Sequence, residues 1–368
     1  MGSKRALTAP GPARVIPRGL FTVNFLAQLL TWKYVWGVPL HRLRKQMATQ
    51  GAAMAAGSLV GALEKLVPVL EPLYEAIKAF NRHEPWWHAD ETHWKVFLEQ
   101  VGKVGYRWWL WVFSGPQSTV YLLSPTRSAQ VPKDHLQKMS PDDENLPSWF
   151  GKLLLTDYYA GYRAMFLGIL HAWCWAHIRR KFFNVGHAVP ALQPWSQAWL
   201  DRIRHLYALH AARAAAEADS ATWQVADQKL RTWVQTMSEA WQKELKKPHL
   251  AVRASDVLAT VQRQWEGLTL FLDHPEIPLD NNEAERLLRT PVVGRKNYYG
   301  SRAEWSGHLA AMVWTLWATA AQNGHNPMTY VTDYLTAYAE NGSQPLSEVA
   351  LAAFLPSAEP PAETNDTG

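Results

Sequence analysis

The feature that most limits how this chain can fold is a change of period part-way along it. From Phe21 to Asn81 apolar residues recur at helical spacing, punctuated by Pro39 and Gly51. The stretches His93–Gln100, Tyr106–Phe113 and Ser118–Leu123 are instead short aromatic and β-branched runs. Separated by Gly102 to Gly105 and by Gly115-Pro116, they predict three consecutive antiparallel strands. After a loop holding Pro132, Pro141 and Pro147, the run Lys152–Thr156 predicts a buried strand that delivers Asp157 at its end. Helices are expected over Tyr158–Leu167 and Trp175–Asn184, with a further strand at Ile169–Cys174 after the break at Gly168. Sheet and helix in this order call for a layered α/β core.

The rest of the chain is helical or irregular. Between about Val185 and Leu279 lie long segments rich in Ala, Gln, Trp and charge, such as Trp195–Glu217 and Ser220–Lys246, which predict a helical insertion. Residues 1–19 and 355–368 are rich in Pro, Gly or Ala and are expected to be mobile ends. Residues 20–83 are expected to form a helical domain. Within it Leu40–Leu63 is spaced either for a helix-turn-helix-like pair or for an ordinary packing pair.

Charge and cysteine usage narrow the class. The net charge of +5 is mild, but basic residues cluster: Arg42, Arg44 and Lys45; Arg179, Arg180 and Lys181; and Arg286, Arg289, Arg295 and Lys296. A solvated helix face explains any one cluster, whereas three together favour a polyanion such as DNA. One cysteine, Cys174, excludes an internal disulfide framework and fits a reducing, cytoplasmic compartment. The longest apolar stretches, Gly51–Leu63 and Leu309–Ala321, are too short to span a bilayer.

Three acidic residues stand inside dense local signatures: Asp90 in Ala-Asp-Glu-Thr-His-Trp, Asp157 in Leu-Leu-Leu-Thr-Asp-Tyr-Tyr, and Glu285 in Asp-Asn-Asn-Glu-Ala-Glu-Arg. Carboxylates converging from distant segments can clamp two divalent cations across a phosphodiester, which makes a metal-dependent nuclease site a candidate. Around the third, Asp280 is a favourable N-cap and Glu283 can complete a capping box, giving both a structural role. On the following helix Glu283 and Glu285 lie about 200° apart, so only one can face a shared site. Periodicity does not choose between them, and Arg289 one turn on offers Glu285 a plain ion pair. Cys174 and His177 have ligand-like spacing, yet zinc needs four ligands and no second cysteine exists, which favours a structural role for both. Trp108, Trp109 and Trp111, among 20 tryptophans, are expected in the core, although an exposed indole could stack on a frayed base.

Asp90-Glu-Thr-His-Trp, Thr156 to Tyr162, Cys174 to Phe182, Asp280 to Arg286 and Gly294 to Tyr298 together resemble the DDE transposases of bacterial insertion-sequence family sixty-six. The resemblance covers roughly Arg18 to Leu335, and Asn323 to Pro327 is similar to that family's closing helical segment. It implies a ribonuclease-H-like mixed-sheet core, first part 84–185 and completion 280–340, interrupted by a helical insertion at 186–279. Asp90, Asp157 and Glu285 are implied as the catalytic, metal-ligating residues, because the family pattern places its glutamate in Ala-Glu-Arg.

The implied cofactor is a pair of Mg²⁺ ions, with Mn²⁺ as a substitute, and the implied partners are double-stranded element ends and target DNA. Water nicks the element end and the freed 3′-hydroxyl attacks target DNA. Synapsis of two ends implies a homo-oligomer on DNA, at the nucleoid of a bacterial cytoplasm. The family's cysteine-bearing N-terminal region has no counterpart in this sequence, which points to a shortened copy. A DNA-binding derivative without catalysis and a plain nuclease of the same fold would keep the same carboxylates.

Overall fold

The computed structural model describes residues 11–98, 106–137, 149–158, 162 and 168–356. Its centre is a five-stranded mixed sheet. β1 (Trp86–Lys95), β2 (Arg107–Ser114) and β3 (Thr119–Ser124) form an antiparallel meander, and β4 (Leu153–Thr156) and β5 (Leu170–Trp173) add parallel strands on the other side of β1. The order is β3-β2-β1-β4-β5, with β1 central.

The first strand begins at Trp86, not His93 as the sequence suggested, so Asp90 lies inside it and not ahead of it. Its polar middle masks a strand signal, because neither face shows the usual apolar alternation there. Gln100 and the Gly102 to Gly105 break lie outside the described residues, as do Pro141, Pro147 and nearly all of the helix expected at Tyr158–Leu167. Pro132 is not in a loop: it sits within α4 (Gln130–Leu136).

The pleat sorts side chains onto two faces. Trp87, Ala89, Trp111, Phe113 and Leu154 share one face and pack with Leu136 of α4, Trp149, Tyr162 and Ile169. The other face carries two apolar clusters side by side. Over β2 and β3, Leu110, Val112 and Val120 pack under α3 (Ala56–Arg82) and α11 (Glu304–Gln322). This cluster also takes in α1 (Val23–Leu30) and α12 (Pro327–Glu340), so the N-terminal helices share one core with the C-terminal ones. α2 (Leu40–Thr49) packs against α3, and a π-helical turn, Thr31–Val35, follows α1.

Over β4 and β5, Leu153, Leu155 and Ala172 pack with α5 (Trp175–Ala188), α6 (Gln193–Ala214), α7 (Ala221–Leu245) and α8 (Val252–Thr269). Buried Arg213 of α6 ties this region together, donating to Asp227 and to the carbonyl of Phe271. The short helix α9 (Asn282–Leu287) and α10 (Arg289–Tyr298) belong to the first cluster, in which Ala284 and Leu288 are buried, and α9 packs across β1 and β2. Residues 357–368 and 1–10 lie outside the described residues. The expectation of a mobile 1–19 fails over its second part: Val15 and Ile16 are buried in the core and the Ser343 hydroxyl donates to the Arg14 carbonyl. α13 (Glu348–Ala352) closes the described chain.

Candidate active site

Asp90, Asp157 and Glu285 border the seam between the two clusters without closing on a common point. His88 and Leu155 are lateral partners in the parallel β1–β4 ladder. Continuing that register by two residues sets Asp157, just beyond the end of β4, beside Asp90 on the same face. Glu285 arrives from above on α9, which packs across β1 and β2.

Asp90 is largely buried. Its carboxyl is pushed up to about 8, first by burial, then by the neighbouring charges of Glu91, Asp157 and Glu285; the amide of Glu91, donating to Oδ1 at 2.8 Å, pulls it back only in part. Among the described residues no three His, Cys, Asp or Glu side chains stand close enough to enclose a metal ion. Glu285 is drawn to one side, its Oε1 3.7 Å from Nε2 of His177.

What holds α9 over the sheet is Asn281, which sequence reasoning passed over although it stands in the Asp-Asn-Asn run. Its buried side chain accepts at Oδ1 from Nδ1 of His88 (2.9 Å) and donates from Nδ2 to the carbonyl of Ala89 (2.8 Å). Its amide donates to Sγ of Cys174 (3.2 Å), and the amide of Trp175 donates to the carbonyl of Leu279 (2.9 Å). These bonds stitch the start of α9 to β1 and to the start of α5, which is why His177 on α5 reaches Glu285. His88 is held neutral to low pH, its imidazole lowered to about 4 by burial.

The capping box does not form. The helix starts at Asn282, after Asn281, whose side chain is committed to β1. The Asp280 carboxylate instead accepts from the amide of Asn282 (3.1 Å) and from the hydroxyl of Tyr207 on α6 (3.0 Å). Glu283 pairs with Arg286 at 2.8 Å across an exposed turn. Cys174 is buried and accepts from the amide of Asn281, while His177 faces Glu285.

On the opposite face, Glu91 was also missed. Its carboxylate accepts from the hydroxyl of Tyr162 (2.6 Å) and from Nε of Arg127 (2.7 Å), and the Arg127 guanidinium lies over the ring of Trp109 at 4.8 Å. Burial raises its pKa, and these two partners oppose the rise. Only the adjacency to Asp90 could have flagged it, because Arg127 is 36 positions away.

The expected DNA contacts separate. Arg179, Arg180 and Lys181 are exposed on α5, the helix that carries His177, and Lys296 is exposed on α10. Arg42 and Lys45 are exposed on α2, where Arg44 donates to the carbonyl of Met54. Arg286 is exposed but paired with Glu283. Arg295 departs from a free phosphate contact: its guanidinium donates to the Thr92 hydroxyl (3.0 Å) and to the His93 carbonyl, anchoring α10 to β1.

A family model described as Transposase IS66 family matches residues 18–309. The chain belongs to that family. Similar to this IS66-family chain are two uncharacterized proteins of Sinorhizobium fredii (strain NBRC 101917 / NGR234). One, y4hP, is 26% identical over 357 residues, covering 90% of this chain and 62% of its own length. The other, y4qI, is 28% identical over 377 residues, covering 95% and 65%. The IS66-family chain therefore spans less than two thirds of these relatives. No helix among its described residues is long and apolar enough to cross a membrane.

Proposed function

We propose that this chain cuts and joins DNA as a DDE transposase built on a ribonuclease-H-like core, with Asp90, Asp157 and Glu285 as its metal-ligating carboxylates. The carrying observation is the Asp90 carboxyl, buried and surrounded by the charges of Glu91, Asp157 and Glu285, with no described basic side chain paired to it. Such a cluster lacks a positive charge that the fold does not supply. Carboxylate oxygens without thiolates are the donor set of Mg²⁺ or Mn²⁺. Asp90, Asp157 and Glu285 would hold the divalent cations, which would supply activation of water and neutralisation of phosphate charge.

The chain's own residues do the positioning. Asn281 and His88 fix α9 against β1, so Glu285 can swing from His177 toward Asp90 with its backbone already in place. Arg179, Arg180 and Lys181 on α5 and Lys296 on α10 offer charge to the phosphates of double-stranded DNA. The reaction is a nick at an element end followed by in-line attack of the freed 3′-hydroxyl on target DNA. Bringing two ends together calls for a homo-oligomer on DNA, working at the bacterial nucleoid in the cytoplasm.

The open spacing of the carboxylates favours a second reading, a transposase-derived protein that binds DNA without cutting it. Incubation with Mg²⁺ and a labelled duplex carrying the inverted repeats that flank the gene separates the two. Joined products support transposition, and cleavage without joining reduces the chain to a nuclease. Retention of uncut DNA supports the second reading.

A further inference from the structure

On the other border of α9 from Glu285, a cleft of about 620 Å³ opens toward solvent. Trp86 and His88 of β1 line it from below, Trp314 and Trp317 of α11 from the side, and Glu283 and Arg286 at the lip. His88 precedes Asp90 by two residues on the same face of β1, so the cleft begins about 7 Å from the carboxylate along the strand. That is about two base steps of a duplex at ~3.4 Å each. A strand whose backbone lies on the carboxylates therefore passes the cleft with its next nucleotides.

The two indoles of α11 differ in a way that suggests a use. Trp314 is fixed: its Nε1 donates to the Tyr34 carbonyl at 2.8 Å, and Trp94 and Tyr121 pack around its ring. Trp317, one turn on, is partly exposed and makes no hydrogen bond or ring contact among the described residues. A partly exposed aromatic face over an apolar cleft, with the Glu283–Arg286 pair at the mouth, suits a flat ligand with apolar faces and polar edges.

We infer that this cleft holds one nucleobase, unstacked from the DNA strand that lies on Asp90, Asp157 and Glu285, with its face against Trp317. The inference rests on the DNA-cutting reading of those carboxylates. Stacking on an aromatic side chain contributes about 1–3 kcal/mol per base, whereas extracting a paired base costs a few kcal/mol. The cleft therefore takes a base at a frayed or nicked end and does not open an intact helix.

The test uses the full chain and a fluorescent duplex with a three-nucleotide 3′ overhang, in which an abasic residue replaces each nucleotide near the junction in turn. Binding is followed by anisotropy. At one position, loss of the base is expected to weaken wild-type binding roughly 5- to 150-fold. Trp317→Ala weakens binding to the intact duplex by the same factor and is insensitive to the abasic substitution, whereas Trp317→Phe keeps most of the affinity.

Losses that simply multiply, or no sensitive position in the scan, overturn the inference while leaving the DNA-cutting reading standing. Failure to retain the intact duplex at all overturns both. Should Trp317→Ala unfold, the abasic scan on the wild-type chain decides alone.

Discussion

Asp90 and Glu91 are neighbours on one strand, yet the two faces of the sheet treat their carboxylates in opposite ways. Glu91 points into an aromatic layer and is met by Tyr162 and Arg127, a hydroxyl and a guanidinium delivered by the fold itself. Asp90 points into the seam between two helical clusters, and its charged neighbours are carboxylates. Burial raises both pKa values, but on one side bonded partners oppose the rise and on the other like charges add to it. A carboxylate that is neutralised from within belongs to the architecture. One left in like-charged company depends on something from outside, and that is where function is to be sought.

The largest effect expected from breaking this contrast is on the exposed-to-function side. Asp90→Asn should reduce strand scission by on the order of 10³-fold or more, measured with labelled DNA, without loss of folding. Its pH signature has a definite sign. Because the folded pKa lies above the ordinary 3.8, the group's stabilising contribution is complete below that value and is lost as pH rises through about 8. In metal-free buffer, urea unfolding from pH 5 to pH 9 should therefore show Asp90→Asn gaining stability relative to wild type as pH rises. A constant gap would mean that the seam does not burden Asp90.

Next comes the clamp that sets α9 over that seam. Asn281→Ala leaves the Ala89 carbonyl without its side-chain donor and removes the partner of His88, and should cost about 1–3 kcal/mol in urea unfolding. Scission should fall with it, because Glu285 no longer arrives on a fixed helix.

On the architectural face, Arg127→Met should cost roughly 1–2 kcal/mol, less than a fully buried pair, since the arginine side chain is 36% exposed. It should leave the pH profile attributed to Asp90 in place. The smallest effect belongs to the exposed Glu283–Arg286 pair: Arg286→Ala should change unfolding free energy by about 0.5 kcal/mol or less.

Much of the sheet was legible because strands β2 to β5 are short apolar or aromatic runs between turn residues. The central strand was read late, since His88, Asp90, Glu91, Thr92 and His93 carry polar chemistry on both faces and erase the two-residue apolar period. The capping box was a sound local inference overridden by a distant partner: Asn281 spends its side chain on a strand 192 positions away, which moves the helix start past Asp280. Arg295 likewise reads as surface charge until the fold brings Thr92 and His93 beneath it.

The pairing of Glu91 with Arg127 and of Glu285 with His177 depends on tertiary contact alone. No spacing along the chain encodes it. The face shared by Asp90 and Asp157, by contrast, follows once the parallel register is known, and the sequence supplied the strand that ends on Asp157.

The most direct test of the central claim is to compare Glu285→Gln with Glu283→Gln in Mg²⁺-dependent cutting of one labelled duplex, with DNA retention measured alongside. The two residues share a helix, and only Glu285 lies against the seam. The expected result is loss of cutting in Glu285→Gln, near wild-type cutting in Glu283→Gln, and equal retention of DNA by both. Cutting that survives Glu285→Gln and vanishes in Glu283→Gln would contradict the account.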